Sequence, residues 1–424
     1  MLSFSQTGPA PAETTGYAFV FDSMSGDSYA FLQNLAEGSQ CKVQLVANLA
    51  THQIVVQKVS KENLPLKDGH SSTTDFPEDQ EIRTVQHLNS FARVDPCHPL
   101  ISLTPRWTIC LAHDTLPTTT HGPDGPIPGY THVSYWQFCN GGTIADWYRT
   151  WGRTATRDSD DGPRFPVSFI ARCIAQVCET LHVMYQVGPE AVYHCDLHLA
   201  NIFVHFADGD ANAGPLPDFY IGDFGWARTA TEARADAVRL YGESGGSSSR
   251  SLSPGGGGPL PAPGTALPTQ RRRWDVERFF SALQGLRGLA LPPSSSNPLI
   301  PPGSQGLSKQ EAGLQRLMRM MEWMDSQDGQ LAARNPGSRP PSLMELVREA
   351  KMLEEVALAA EQGTEVFKEL VEMGRSWVEK TKGEKPVVFT TPGEKGQLPE
   401  TTKQSAEEFG RAKVAGPWRL MEIR

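Results

Sequence analysis

The sequence predicts an α+β fold in two parts: a small antiparallel β-sheet with one helix, then a larger, mainly helical half. Short β-prone runs broken by turn residues dominate the first third of the chain. Amphipathic runs with helical spacing dominate the remainder. The chain has 424 residues, 39% of them hydrophobic, which is enough for two lobes plus tails.

The β-prone runs at the start of the chain indicate an antiparallel meander. Three of them, at 29–35, 41–50 and 52–60, are separated by turn-like residues. Two further strands are expected within 101–112 and 129–138. We expect the Gly-, Pro- and Thr-rich stretch between these last two to be a loop.

Helical periodicity marks one segment of the first part and several of the second. In the first part, Ile82, Val85 and Leu88 recur at the spacing of one helix face. The last of the later segments opens with Ser342 and Glu345 in the spacing of a capping box. The predicted helices of the second part lie at 166–185, 274–286, 314–324 and 342–363.

Composition divides the chain further. Residues 1–28 are rich in Ser, Thr, Pro, Gly and Ala, and we expect a disordered tail there. The sheet-rich part then spans 29–138 and the helical part 139–355, with a low-complexity insertion at 229–273. Residues 356–424 are expected to form a C-terminal helix and a flexible tail.

Charge and cysteine usage exclude several classes of protein. The formal net charge is −9, so no global basic field attracts nucleic acid or an anionic membrane. The seven cysteines lack paired spacing, which favours a reducing compartment. The first residues lack the basic start and apolar stretch of a secretory signal, and no apolar run is long enough to span a bilayer. These features predict an intracellular protein, cytoplasmic or nuclear.

Reactive side chains are concentrated in HCDLHLAN at 194–201, between two apolar runs. Asp196 and Asn201 are spaced so that both can enter one cleft, one to orient a nucleophile and one to hold a cation. Asp223 follows an apolar strand and precedes Phe and Gly, which suits a magnesium ligand. A solvated hairpin is one alternative. A metal site on His194, Cys195 and His198 is another, but it lacks the second cluster of a zinc site.

HCDLHLAN followed by DFG resembles the catalytic loop and magnesium loop of protein kinases. The chain is similar to a divergent eukaryotic-type protein kinase domain, with H-C-D in place of H-R-D. The resemblance implies a two-lobed kinase-like fold, with an N-lobe at 29–138 and a C-lobe at 139–355. It also implies that Asn201 and Asp223 hold Mg²⁺.

Motifs upstream resemble the nucleotide site of that family in the same order. LAEGSQCKV resembles the glycine-rich phosphate loop, which would place Gly38 and Val43 against ATP. VVQK resembles the strand whose lysine holds the phosphates, here Lys58, and QEIRTVQHL offers Glu81 as its ion-pair partner.

Further motifs complete the resemblance. WQFCNGGTIADW resembles a kinase hinge, with Trp136 as gatekeeper and the backbone of Gln137 and Cys139 on the adenine. WDVERFF resembles the helix whose acid, here Asp275, braces the catalytic loop. NPGSRPPSLMEL resembles the loop before the last helix, with Arg339.

The implied reaction transfers the γ-phosphoryl group of ATP to a serine or threonine hydroxyl of a protein substrate. Asp196 would orient the hydroxyl and accept its proton. Lys58, fixed by Glu81, would steady the phosphates, and His198 would contact the γ-phosphate.

Four departures from the family pattern bear on its function, and one of them is that only Gly38 remains of the three glycines of the phosphate loop. Cys195 replaces the arginine that clamps a phosphorylated activation loop, which predicts activity independent of such phosphorylation. The only candidate for A-P-E is APG at 262–264, and the degraded glycine loop and this motif favour a pseudokinase scaffold. His198 replaces the usual lysine, and H-x-D-x-H-x-x-N also resembles aminoglycoside and choline phosphotransferases.

Overall fold

The structure is a computed structural model of the chain. The described residues are 16–23, 26–38, 41–60, 64–65, 80–92, 104–122, 125–154, 165–186, 189–207, 216–241, 275–276, 278–281, 283, 309–325, 341–382, 389–390 and 419–423. The predicted APG motif and Arg339 lie outside them.

The chain divides into two compact units, which confirms the α+β class. The first unit comprises Met1–Phe76, Cys110–Phe138 and Gly383–Arg424. The second comprises Pro77–Ile109 and Cys139–Lys382. The first is built on an antiparallel sheet and the second is mainly helical.

The sheet of the first unit runs in the order β12-β1-β2-β3-β4-β7-β5, with β13 also on β1 and β6 also on β7. Every one of these pairings is antiparallel. The strands are β1 (Gly16–Asp22), β2 (Ser28–Glu37), β3 (Cys41–Asn48), β4 (Ile54–Ser60), β5 (Leu64–Pro65), β6 (Cys110–Gly122), β7 (Gly125–Gln137), β12 (Phe389–Thr390) and β13 (Arg419–Ile423).

Alternation along the central strands gives the sheet one apolar face. Successive side chains of a strand point to opposite sides, and residues paired across strands share a side. Val46 therefore lies beside Val55 on one face, where both join a buried cluster. The rest of this cluster is Phe21, Tyr29, Val59, Val133 and Tyr135, with Tyr29 stacked on Tyr135 at 4.1 Å between ring centroids.

The sheet extends beyond the strands that the sequence predicts. Part of the expected disordered tail, Gly16–Asp22, instead forms strand β1. It is ordered because Val20 and Phe21 are buried and because the strand pairs with β2 and β13. The predicted loop between β6 and β7 is instead a continuous hairpin. Pro117 is tolerated there because β6 has a partner on one side only among the described strands.

The second unit contains seven described helices. They are α1 (Gln80–Ala92), α2 (Ile144–Thr154), α3 (Val167–Gln186), α4 (Ala230–Tyr241), α5 (Lys309–Asp325), α6 (Leu343–Glu361) and α7 (Glu365–Lys382). Residues 275–276, 278–281 and 283 are also helical. The predicted apolar stripe of α1 is confirmed, since Ile82, Val85 and Leu88 are buried. The sequence assigned this helix to the sheet part, whereas contacts place it in the second unit.

The core of the second unit forms around α3. All of its residues except Arg172 and Gln186 are buried, and it packs against α6. Glu361, at the end of α6, accepts hydrogen bonds from the backbone N–H of Val167 at 2.8 Å and of Ser168 at 3.1 Å. A carboxylate there satisfies free donors and complements the positive end of the α3 dipole.

The α3 helix is long and apolar enough to cross a membrane by length and composition alone. However, 94% of the relevant stretch is buried inside the protein, as in a core helix. This was the one such helix found among the described residues.

Two capping boxes fix helix starts. The predicted box of α6 is confirmed, because the Ser342 hydroxyl accepts from the Glu345 backbone and the Glu345 carboxylate accepts from the Ser342 backbone. Thr229 and Glu232 form a reciprocal pair in the same way at α4. The start of the predicted low-complexity insertion is therefore helical, and residues 242–273 lie outside the described part.

Candidate active site

A short hairpin sets the spacing of the candidate cation ligands. β9 (Ile202–His205) pairs antiparallel with β10 (Asp218–Ile221), and Ile202 lies opposite Ile221. Asn201 therefore ends one side of the hairpin where Gly222 and Asp223 leave the other. The Gly222 backbone N–H donates to the Asn201 carbonyl at 3.0 Å, which ties the two ends together.

Gly222 is required by close packing at this point. A Cβ atom there would lie 2.7 Å from both the Phe203 ring and the Thr108 hydroxyl oxygen. Only glycine lets the backbone pass so close to both groups. Asp223 follows in the left-handed region, with φ of 63°, and is exposed.

The loop at 194–201 is joined to the hairpin through Asn201. Asn201 is 5% exposed and its side-chain amide donates to the Asp196 carbonyl at 2.9 Å. Because the nitrogen makes this bond, the side-chain oxygen is the atom that could coordinate a cation. Asp196 and Asn201 therefore belong to one hydrogen-bonded turn, and Gly222, the residue before Asp223, is bonded to that turn.

His194 has a structural role, as the sequence predicts. It is fully buried, and its ring lies 5.0 Å from the Phe224 ring between centroids. Its Nε2 is 3.0 Å from the Gly222 carbonyl, and the Asp196 backbone N–H lies 3.3 Å from its Nδ1. A proton on Nε2 satisfies both contacts, with Nε2 donating and Nδ1 accepting.

Asp275 braces the same loop from the helical segment. It is fully buried and accepts hydrogen bonds from the backbone N–H of His194 and of Cys195, both at 2.7 Å, and from the Tyr185 hydroxyl at 2.9 Å. These bonds hold Cys195 with φ of 62°. Burial raises the pKa of Asp275, although the neighbouring His194 and these hydrogen bonds oppose the rise.

Each oxygen of the Asp196 carboxylate has a side-chain nitrogen nearby. Oδ1 pairs with Nη1 of Arg278, and Oδ2 lies 3.6 Å from Nε2 of His198. The carboxylate is 30% exposed, so it is held in place but accessible to solvent. Sequence reasoning missed Arg278. The available signal was its position three residues after Asp275, which places the two side chains on one helix face.

Glu81 contacts the segment that follows the hairpin. It is 7% exposed, and its Oε1 accepts a hydrogen bond from the Phe224 backbone at 3.2 Å. Phe224 itself is fully buried. The start of α1 is thus attached to the DFG sequence.

The donor set of Asn201 and Asp223 fits magnesium. Both offer hard oxygen ligands, and Mg²⁺ is commonly held by one or two such groups together with phosphate oxygens and water. Among the described residues, no group of three or more His, Cys, Asp and Glu could hold an ion by itself. His194, Cys195 and His198, the residues of the hypothetical zinc site, are described and form no such group.

One face of the first unit carries the predicted phosphate-binding lysine. Lys58 pairs with Val43 across β3 and β4 and with Ser134 across β4 and β7, so these three share a face. The Lys58 Nζ lies 5.1 Å from the centroid of the Trp136 ring. Lys58 and Val43, both predicted nucleotide contacts, are thereby brought to one side of the sheet together with the predicted gatekeeper Trp136.

Gly38 directly follows β2. Its N–H donates to the Cys41 carbonyl at 2.9 Å. A Cβ atom at Gly38 would lie 3.6 Å from that carbonyl, an ordinary contact, so the described neighbours do not require glycine.

The predicted hinge residues differ in their surroundings. Gln137 ends β7 opposite Val55, in the first unit. Cys139 is the first residue of Cys139–Lys382, the longer segment of the second unit. Burial raises the pKa of the Cys139 thiol to about 12, so the thiol stays protonated. Lys58 belongs to the first unit and Glu81 to the second, and their ion pair stays a prediction.

Comparisons with known proteins find similarity among solved structures. No family model matches the sequence, and no curated protein matches it. The crystal structure of the BubR1 kinase domain is similar, with a TM-score of 0.47 and 12% sequence identity, over 85% of this chain and 87% of that one.

Proposed function

We propose that this protein is an ATP-dependent protein kinase that phosphorylates serine or threonine hydroxyls. The observation that carries the proposal is the arrangement of Asp196, Asn201 and Asp223. A carboxylate with an accessible oxygen lies on the same turn as the Asn201 amide, and the Asn201 backbone is bonded to Gly222, the residue before Asp223, at the end of one hairpin. Phosphoryl transfer needs such an arrangement, with one group to orient the hydroxyl and two to hold the cation.

In the proposed reaction, Asp196 accepts a hydrogen bond from the substrate hydroxyl and then its proton. Asn201 and Asp223 hold Mg²⁺, which when bound neutralises charge on the ATP phosphates. The protein contributes mainly position and electrostatic complementarity, because the reaction needs no covalent intermediate.

The remaining predicted residues act on the nucleotide. Lys58, paired with Glu81, steadies the phosphates, and His198 approaches the γ-phosphate. Val43 and the turn at Gly38 cover the phosphates, and the backbone of Gln137 and Cys139 contacts the adenine. ATP and Mg²⁺ are therefore the proposed cofactors, and a protein is the proposed substrate.

A small-molecule phosphotransferase is the second candidate, and His198 favours it. Its Nε2 lies 3.6 Å from Asp196, at the position where serine/threonine kinases carry lysine. Assaying phosphate transfer to a serine peptide library and to a panel of amino alcohols separates the two. Labelled metabolite with unlabelled peptides would contradict the protein-kinase proposal.

The proposal is tested by comparing Asp196→Asn with the wild type, using γ-labelled ATP and Mg²⁺. Asn keeps the size of the side chain but cannot accept the proton, so transfer should fall about 10²–10⁴-fold. Asp22→Asn is the control, because Asp22 is an exposed carboxylate on β1 bonded to the Ser28 hydroxyl. A scaffold without turnover would bind ATP and show the same background labelling in all three proteins.

A further inference from the structure

One helical turn holds three consecutive residues of the loop at 194–201. Asp275 accepts from the backbone of His194 and Cys195, and Arg278 pairs with the carboxylate of Asp196. Residues three apart on a helix lie on one face, so both side chains reach the same loop. The segment thereby fixes both the backbone of the loop and the side chain that the proposed reaction uses.

We propose that Arg278 is a positioning residue for Asp196, an inference that rests on the proposed function. Its guanidinium pairs with Oδ1 and so selects one orientation of the carboxylate. Oδ2 then remains as the oxygen for the substrate hydroxyl, because His198 Nε2 at 3.6 Å is at ion-pair distance and outside hydrogen-bond distance.

Arg278 also supplies a permanent positive charge, because the loop at 194–201 contains no lysine or arginine. The residue before Asp196 is Cys195, which is 1% exposed and uncharged, where the H-R-D pattern has an arginine. Arg278 brings its charge to the neighbouring carboxylate from a different element. A guanidinium suits this task because it stays charged and its planar donors fit a carboxylate.

The expected effect is on turnover and not on nucleotide affinity. Arg278→Ala frees the carboxylate to rotate, and misplacement of a reacting group by about 1 Å costs about 10²-fold in rate. We expect kcat to fall by about 10–100-fold, with KM for ATP unchanged. Arg278→Lys keeps the charge and should retain part of the rate.

The experiment measures kcat and KM for the wild type, Arg278→Ala, Arg278→Lys and the control Arg316→Ala. Arg316 is a matched control, since it forms an exposed pair with Glu349 at 2.9 Å on α5 and α6. If Arg278→Ala does not fold, Arg278→Gln takes its place. Asp196→Asn combined with Arg278→Ala should be no slower than Asp196→Asn alone, because Arg278 acts through Asp196.

The outcomes separate this inference from the function on which it rests. A loss of kcat confined to the Arg278 variants, with partial rescue by Lys, supports it. Three results overturn it while the kinase function stands. Arg278→Ala could react at the same rate as Arg316→Ala, or it could react faster than the wild type, which would make Arg278 inhibitory. The third result is a double variant whose loss of rate is the product of the two single losses. A wild type that transfers no phosphate overturns the function, and with it the positioning role.

Discussion

Removing the Asp275 carboxylate should destabilise the fold far more than removing one of its partners. Asp275→Ala leaves three donors without an acceptor: the backbone N–H of His194, that of Cys195 and the Tyr185 hydroxyl. Each buried unsatisfied donor costs about 1–3 kcal/mol, so three of them would lower the free energy of unfolding by about 3–9 kcal/mol if the loop did not relax. The loop can relax and admit water, which lowers the expected loss to about 3–5 kcal/mol.

The matched variant is Tyr185→Phe, which removes one donor and leaves Asp275 with two. Loss of a single hydrogen bond of this kind costs about 1 kcal/mol. Urea unfolding followed by tryptophan fluorescence measures both losses. The reasoning is refuted if Asp275→Ala is destabilised no more than Tyr185→Phe, because the carboxylate would then not be the common acceptor.

Three further predictions concern stability. Gly222→Ala should cost about 1–3 kcal/mol in thermal unfolding, because its Cβ would lie 2.7 Å from Phe203 and Thr108; an unchanged melting temperature would contradict that packing. Glu361→Ala should cost about 0.5–2 kcal/mol by removing the acceptor at the start of α3, while Glu365→Ala, exposed on α7, should cost little; equal losses would disprove the capping role. The pKa of Asp275 is raised on folding, so its contribution to stability is greatest below the pKa of the unfolded chain and is lost as pH rises through the pKa of the folded protein. The free energy of unfolding of the wild type should therefore fall relative to that of Asp275→Asn as pH rises through this interval. A difference that stays constant with pH would show that the pKa is not raised.

Local patterns predicted those parts of the fold that depend on neighbouring residues. The stripe of Ile82, Val85 and Leu88 is buried on α1, and the box of Ser342 and Glu345 starts α6. Both features arise from side chains three or four positions apart, so a single stretch of sequence contains all the information.

The strands at the edge of the sheet could not be predicted in this way. β1 pairs with β12 and β13, which are more than 360 residues later in the chain. The composition of both ends is typical of tails, and only the pairing makes them strands. Conversely, α4 lies in a stretch assigned to low complexity, although its own box of Thr229 and Glu232 was visible in the sequence.

The candidate site also contains some residues that local sequence patterns predicted and others that depend on distant parts of the chain. The loop at 194–201 and Asp223 were found from the order of motifs, and the hairpin register places Asn201 opposite Gly222, the residue before Asp223. Arg278 was missed because its contact with Asp196 spans 82 residues, and the one local signal was its position three residues after Asp275. The pairing of Lys58 with Glu81 likewise depends on two separate units, and it stays a prediction.

The most direct test is whether γ-phosphate leaves ATP for a hydroxyl in a reaction that needs Mg²⁺ and both candidate metal ligands. The account predicts transfer to a serine peptide that is lost on chelation of Mg²⁺ and sharply reduced in Asp223→Asn and Asn201→Leu. Transfer that continues at the wild-type rate in both variants, or a folded wild type that transfers nothing with saturating ATP and Mg²⁺, would contradict it.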